Sequence, residues 1–187
     1  MNTDERAAPT IGSRRSTLPP LHNGDRLDQP TFHARYVLMR EHTRAELIAG
    51  VVYTASPQRR KHSRSQTVLA HWLNEYELDT PGTEVLEGTS DILGADSEPE
   101  PDSCLFVVPE FGGQVWEDEE GYLNGPPELI AEISWSTESI DLHAKKADYE
   151  KASVCEYIVV ACEPNACTGL CAAAIGSRKC RQTKMAF

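Results

Sequence analysis

PELIAEISWS, residues 127–136, is the stretch on which the reading of this chain turns. As an extended strand it puts Leu129, Ala131, Ile133 and Trp135 on one face and Glu128, Ile130, Glu132 and Ser134 on the other, because strand side chains alternate. A run this apolar suits a core strand, yet Glu132 stands near its centre. An ionised carboxylate left unpaired in an apolar layer costs several kcal/mol, so a cation, a metal or water has to meet it.

Outward from that strand, the segments on either side read as further core elements. PDSCLFVV (101–108) alternates Asp102, Cys104, Phe106 and Val108 with Ser103, Leu105 and Val107, the pattern of a strand covered on both sides except at its first residue. TEVLEGTSDIL (83–93) is a strand region before it, separated by the acidic turn GADSEPEP. A long acidic loop with two glycine-bearing turns, 109–127, leads into the opening strand. After it, Asp141 is placed to cap a helix through about Ala152, and CEYIVVA (155–161) is another core strand. Nearer the N-terminus, AELIAGVVYTAS (45–56) reads as a hairpin about Ala49-Gly50, with Glu46 and Ile48 on one face. SQTVLAHWLNEYEL (65–78) has Val68, Leu69, Trp72, Leu73 and Tyr76 at helical spacing and is closed by Pro81-Gly82. The order predicts a mixed sheet flanked by helices, an α/β or α+β domain.

The 187 residues suffice for one well-buried domain. Residues 1–30 mix Pro, Gly, Ser, Thr and charges without apolar periodicity and read as a disordered arm, 31–161 as the domain, and 162–187 as an atypical tail. The tail carries Cys162, Cys167, Cys171 and Cys180, with no CxxC pair and no histidine after them, a spacing that argues against zinc. No run approaches the ~18 apolar residues of a membrane span and no secretory signal opens the chain, so a cytoplasmic protein with reduced thiols is expected. A net charge of −11 repels phosphate at long range, which excludes an indiscriminate polyanion binder but not a local basic groove.

Three polar residues occupy positions where a purely structural sequence would place apolar ones: Asp102 at the mouth of its strand, Glu132 within the next, and Lys145 in the helix that follows. On a helical wheel Leu142, Tyr149 and Ala152 define the inward stripe, with Lys145 inside it and Lys146 on its flank. Two carboxylates close together repel unless a divalent metal lies between them, and hard oxygen ligands suit magnesium, with manganese as its substitute. Such an ion lowers the pKa of a bound water and neutralises charge on a phosphoryl oxygen, while the lysine orients or deprotonates the nucleophile. That set hydrolyses phosphodiesters. Solvated edge residues explain the same spacing, and spacing alone favours that plainer reading.

PDSCLFV, GPPELIAEIS, DLHAKKADYEKA and CEYIVV, preceded by AELIAGVVY, resemble the Uma-type restriction endonuclease family of the PD-(D/E)XK nuclease superfamily, over roughly residues 31–161. The resemblance implies a restriction-endonuclease-like mixed central sheet flanked by helices and DNA as substrate. It makes Asp102, after Pro101, a metal ligand and Glu132 the second carboxylate. The superfamily's lysine usually stands two residues after that acid, where this chain has Ser134; the Uma-type pattern instead places a lysine four residues before a tyrosine in the next helix, which Lys145 and Tyr149 match. Glu46 matches the family's glutamate in the first hairpin, which makes it a further acidic catalytic group near the metal, and an exposed hairpin residue explains it equally well. Ser153 replaces a usual glycine after the last helix. The cysteine-bearing tail replaces the family's further strands, which suggests a frameshifted or otherwise atypical C-terminus.

QRRKHSR (58–64) gathers Arg59, Arg60, Lys61 and Arg64 ahead of the long helix, as a phosphate-binding patch or a solvated loop. His62, without a partner nucleophile, reads as a surface residue and His71 as boundary packing. Trp72, Tyr76 and Trp135 read as core. The leading expectation is a magnesium-dependent endodeoxyribonuclease, acting as a homodimer so that an acidic chain can present a basic groove. Its rivals are a catalytically inactive DNA-binding or protein-interaction module of the same fold, and a defective product that does not fold stably.

Overall fold

The computed structural model describes residues 18–39, 44–134 and 140–161. The central sheet has four strands in the order β3 (Thr83–Leu86), β5 (Ser103–Val107), β8 (Leu129–Ser134) and β9 (Glu156–Ala161). β5 lies antiparallel to β3 and β8, whereas β8 and β9 are parallel, so the sheet is mixed as expected. The parallel pair is joined through a helical crossover that ends in α3 (Lys146–Ala152), as a parallel connection requires.

Alternation along the strands divides the core. One sheet face carries Leu105, Leu129, Ala131, Ile133 and Ile158, packed on Leu69 and Leu73 of α2 (Arg60–Asp79). The two α2 leucines stand four apart, so both reach the sheet, and burying each stabilises by about 1.5–3 kcal/mol. The opposite face carries Cys104, Phe106, Ile130, Tyr157 and Val159 against Tyr149 and Val154. On this side lies a small sheet of β4 (Asp91–Ile92), β6 (Trp116–Glu117) and β7 (Leu123–Asn124), in the order β4-β7-β6. The 109–127 segment read as a loop therefore contains a short hairpin.

A third cluster joins Leu21 and Phe32 to Ala45, Leu47 and Val52 of the hairpin β1 (Ala45–Ile48) and β2 (Val51–Thr54). Phe32 comes from α1 (Gln29–Tyr36), whose first turn is capped by Asp28 accepting from the Thr31 N–H at 3.0 Å. The arm read as disordered thus contributes Leu21 to the core from residue 18 onward, and Arg26 bridges to Val51. Its polarity misled because Arg35 is spent on that strap, donating to the carbonyls of Pro19 and Pro20 and to Asp25. Residues 1–17 and 162–187, with the tail cysteines, lie outside the described residues, as does Trp135.

Three further expectations are corrected. α2 begins at Arg60, so Arg60, Lys61 and Arg64 sit in its first turns and not in a loop ahead of it. Leu69, Ala70 and Leu73 are buried, whereas Val68, Trp72 and Tyr76 lie on the exposed side, and His71 is exposed too. Two adjacent apolar rows run along this helix, and only one can meet the sheet. The final helix is already helical at Ile140, as a widened π-type turn through Lys145, so Asp141 lies inside it and does not cap it. No described helix is long and apolar enough to cross a membrane.

Candidate functional site

Ser103 and Ala131 are the last paired residues at one end of the β5–β8 ladder, and one step beyond them come Asp102 and Glu132. Glu132 follows Ile130 by two residues and so shares its face, toward α3. Lys145 and Tyr149, one helical turn apart, both reach it: Lys145 Nζ donates to Glu132 Oε1 at 2.8 Å and the Tyr149 hydroxyl donates to the same oxygen at 3.0 Å. These side chains are buried, with Glu132 at 4% and Lys145 at 5% exposure. The carboxylate inside the core strand is thus met by a cation. Burial, and next the Glu132 charge, push the Tyr149 hydroxyl well above its ordinary pKa, so it remains a donor.

Lys145 Nζ also donates to Glu46 Oε1, at 2.9 Å, which ties the β1 strand to the same centre. That Glu46 oxygen accepts the Glu100 backbone N–H at 2.9 Å. The Glu100 carboxylate in turn accepts from Arg44 Nε at 2.7 Å and from the Tyr36 hydroxyl at 3.2 Å. Burial raises the Glu100 pKa against the opposing pull of Arg44. Much of the acidic 94–101 segment is therefore interior: Glu98, 1% exposed, accepts from Gln29 Nε2 at 2.8 Å and lies 2.9 Å from His33 Nδ1.

Asp102 is buried beside the ladder's end. Its Oδ2 accepts the Ile133 N–H at 2.8 Å and lies 3.4 Å from His62 Nε2, while its Oδ1 accepts no hydrogen bond from a described residue. His62 stands in the first turn of α2, so the helix's basic start adjoins Asp102. Arg59, Arg60, Lys61 and Arg64 are exposed there, and Arg59, Arg60 and Arg64 have no ion pair among the described residues. The N-terminus of this 20-residue helix has no side-chain cap, and its dipole adds to the local positive potential of an acidic chain.

The structure thus brings Glu46, Glu132, Lys145 and Tyr149 into one hydrogen-bonded cluster, whereas Asp102, one residue beyond the last β5–β8 pair, bonds instead to the Ile133 N–H and adjoins His62 at the basic start of α2. Among the described residues no three His, Cys, Asp or Glu side chains form a metal cage. Asp102 and Glu132 offer hard carboxylate oxygens, the donor type magnesium takes, and magnesium is commonly held by one or two carboxylates with water or substrate oxygens completing its shell. A cavity of about 610 Å³ lies elsewhere, lined by residues such as Glu84, Phe106, Val108 and Trp116 near the other end of β5, and includes none of this cluster. Sequence reasoning missed His62 and the hydroxyl of Tyr149 as parts of the site. The i, i+4 spacing of Lys145 and Tyr149 carried the second signal; nothing local marked the first.

Residues 30–178 match the family model Uma2, described as "Putative restriction endonuclease". The chain belongs to this family. The Uma2 match continues past Ala161, so the family pattern extends into the segment set apart as a tail. No curated protein matches the chain. A solved structure described as a putative nuclease belonging to DUF820, from Anabaena variabilis, is similar in fold, with a TM-score of 0.54 and 16% identity over 68% of this chain and 72% of that one.

Proposed function

We propose that this Uma2 protein is a magnesium-dependent endonuclease that hydrolyses DNA phosphodiester bonds, with Asp102 and Glu132 as the metal ligands. The observation that carries the reading is Lys145, a buried ammonium fixed between Glu132 and Glu46 at 2.8 and 2.9 Å; Glu132 stands one residue past Ala131, whose partner Ser103 directly follows Asp102. When bound, magnesium would supply an activated water and neutralise charge on the phosphoryl group. The chain's own residues orient the rest. Tyr149 and Lys145 fix the Glu132 carboxylate from one side, and Ile133 N–H fixes Asp102 from the other. Lys145, with two carboxylate acceptors, acts as a positive group that orients the attacking water or stabilises the phosphate, in preference to removing a proton.

Arg59, Arg60, Lys61 and Arg64 supply the phosphate contacts in this reading, because they are exposed at the start of the helix that also brings His62 to Asp102. Homodimerisation around that basic helix start, which lets a chain of charge −11 hold a polyanion, is part of the same proposal.

Incubation of supercoiled plasmid with magnesium tests the reading: wild type nicks it, and Glu132→Ala does not. Equal nicking by both removes Glu132 from the chemistry. A second reading, a catalytically inactive DNA-binding module, draws on the engagement of Glu132 Oε1 by both Lys145 and Tyr149. It requires wild type to bind DNA without cutting it in magnesium or manganese.

A further inference from the structure

We propose that His62 is a positioning residue for Asp102, holding one carboxylate oxygen so that the other is left for the cation; this rests on the reading of Asp102 as a metal ligand. Asp102 precedes the first ladder residue of β5, so the β5–β8 pairing does not by itself fix its side chain. Two groups close on its Oδ2: the Ile133 N–H, which donates a hydrogen bond at 2.8 Å from the neighbouring strand, and His62 Nε2 of α2, at an ion-pair distance of 3.4 Å. Oδ1 accepts nothing from a described residue. An imidazole against a ligating carboxylate fixes the carboxylate's rotation, and outer partners of this kind commonly govern metal affinity by about 10–100-fold.

The ring's other nitrogen argues that His62 is not there for packing. Its Nδ1 is buried and has no hydrogen-bond partner among the described residues. A buried polar atom left unsatisfied is destabilising, and an apolar side chain of similar size avoids the cost. A residue that only filled space at this position would serve better as leucine. Stability and metal binding should therefore respond to its replacement in opposite directions, which a purely structural histidine would not show.

The test is manganese binding to the full chain by titration calorimetry, alongside urea unfolding, for wild type, His62→Leu, His62→Gln and Asp102→Asn. His62→Leu is expected to weaken manganese binding about tenfold or more while unfolding at the same or a higher urea concentration. His62→Gln, whose amide nitrogen can reach the place of Nε2, is expected to stay close to wild type. Should His62→Leu not fold, His62→Ala carries the same comparison. If Asp102→Asn loses the ion and the His62 variants bind it like wild type, the role given to His62 is overturned and the site reading stands. If Asp102→Asn also binds like wild type, both fall together.

Discussion

Lys145 Nζ lies 2.8 Å from Glu132 Oε1, and both side chains are almost wholly buried. Removing one member of such a pair leaves the other charge uncompensated, at a cost of about 3–5 kcal/mol. Lys145→Met should lower stability by that amount, read from urea midpoints. The double variant Lys145→Met, Glu132→Leu should regain part of it, because two apolar side chains replace a pair whose desolvation was already expensive, while Glu46 still loses its cation and the Tyr149 hydroxyl its acceptor. On the proposed function neither variant nicks plasmid, so stability and activity part company in the double variant.

Tyr149 supplies the second hydrogen bond to Glu132 Oε1, at 3.0 Å, from a fully buried ring. Tyr149→Phe keeps the ring's contact with Tyr157 and deletes only the hydroxyl. A hydrogen bond to a charged group contributes about 1.5–3 kcal/mol, and a thermal melt should show a loss in that range. A variant as stable as wild type would mean that the hydroxyl's bond is replaced by water.

Asp91 is a buried carboxyl with no hydrogen bond to either oxygen among the described residues, and desolvation raises its pKa to about 8. The folded state therefore holds this proton more tightly than the unfolded chain, whose carboxyl titrates near 3.8. The group's contribution is fully present below that lower value and is lost as pH rises through about 8. Burial raises the carboxyls of Glu98, Glu100 and Asp148 as well, with the same sign. Urea midpoints should fall between pH 5 and pH 8, and Asp91→Asn, which cannot ionise, should flatten that fall. A fall of equal slope in the variant would show that Asp91 does not carry it.

α3 ends on Ser153 at φ +73°, a left-handed conformation that costs a side-chain-bearing residue about 1–2 kcal/mol. Ser153→Gly should raise stability by about 1 kcal/mol, seen as a higher melting temperature. The departure from the family's usual glycine is thus absorbed without a change in how the helix closes, since the Ser153 N–H still donates to the helix's last carbonyls.

The strands of the central sheet were legible because their alternation is strict: Cys104 and Phe106 fall on one face and Leu105 on the other, as read. Lys145 was legible for a related reason, since its place on the wheel beside Tyr149 put both on the stripe that meets the sheet. α2 was half legible. Val68, Trp72 and Tyr76 recur every four residues just as Leu69 and Leu73 do, and spacing gives the existence of an apolar row but not which of two adjacent rows turns inward. The 94–101 segment was read only as an acidic turn, and the burial of Glu98 and Glu100 was not legible in it because their partners lie far away in sequence, in Gln29, His33, Tyr36 and Arg44. His62 was passed over for the same reason, its partner being forty residues on.

The central claim, that Asp102 and Glu132 hold one divalent ion at the end of the β5–β8 ladder, is tested most directly by anomalous diffraction from crystals soaked in manganese. A single anomalous peak bonded to oxygens of both carboxylates is the expected result. A peak elsewhere, or none at saturating manganese, would contradict the account.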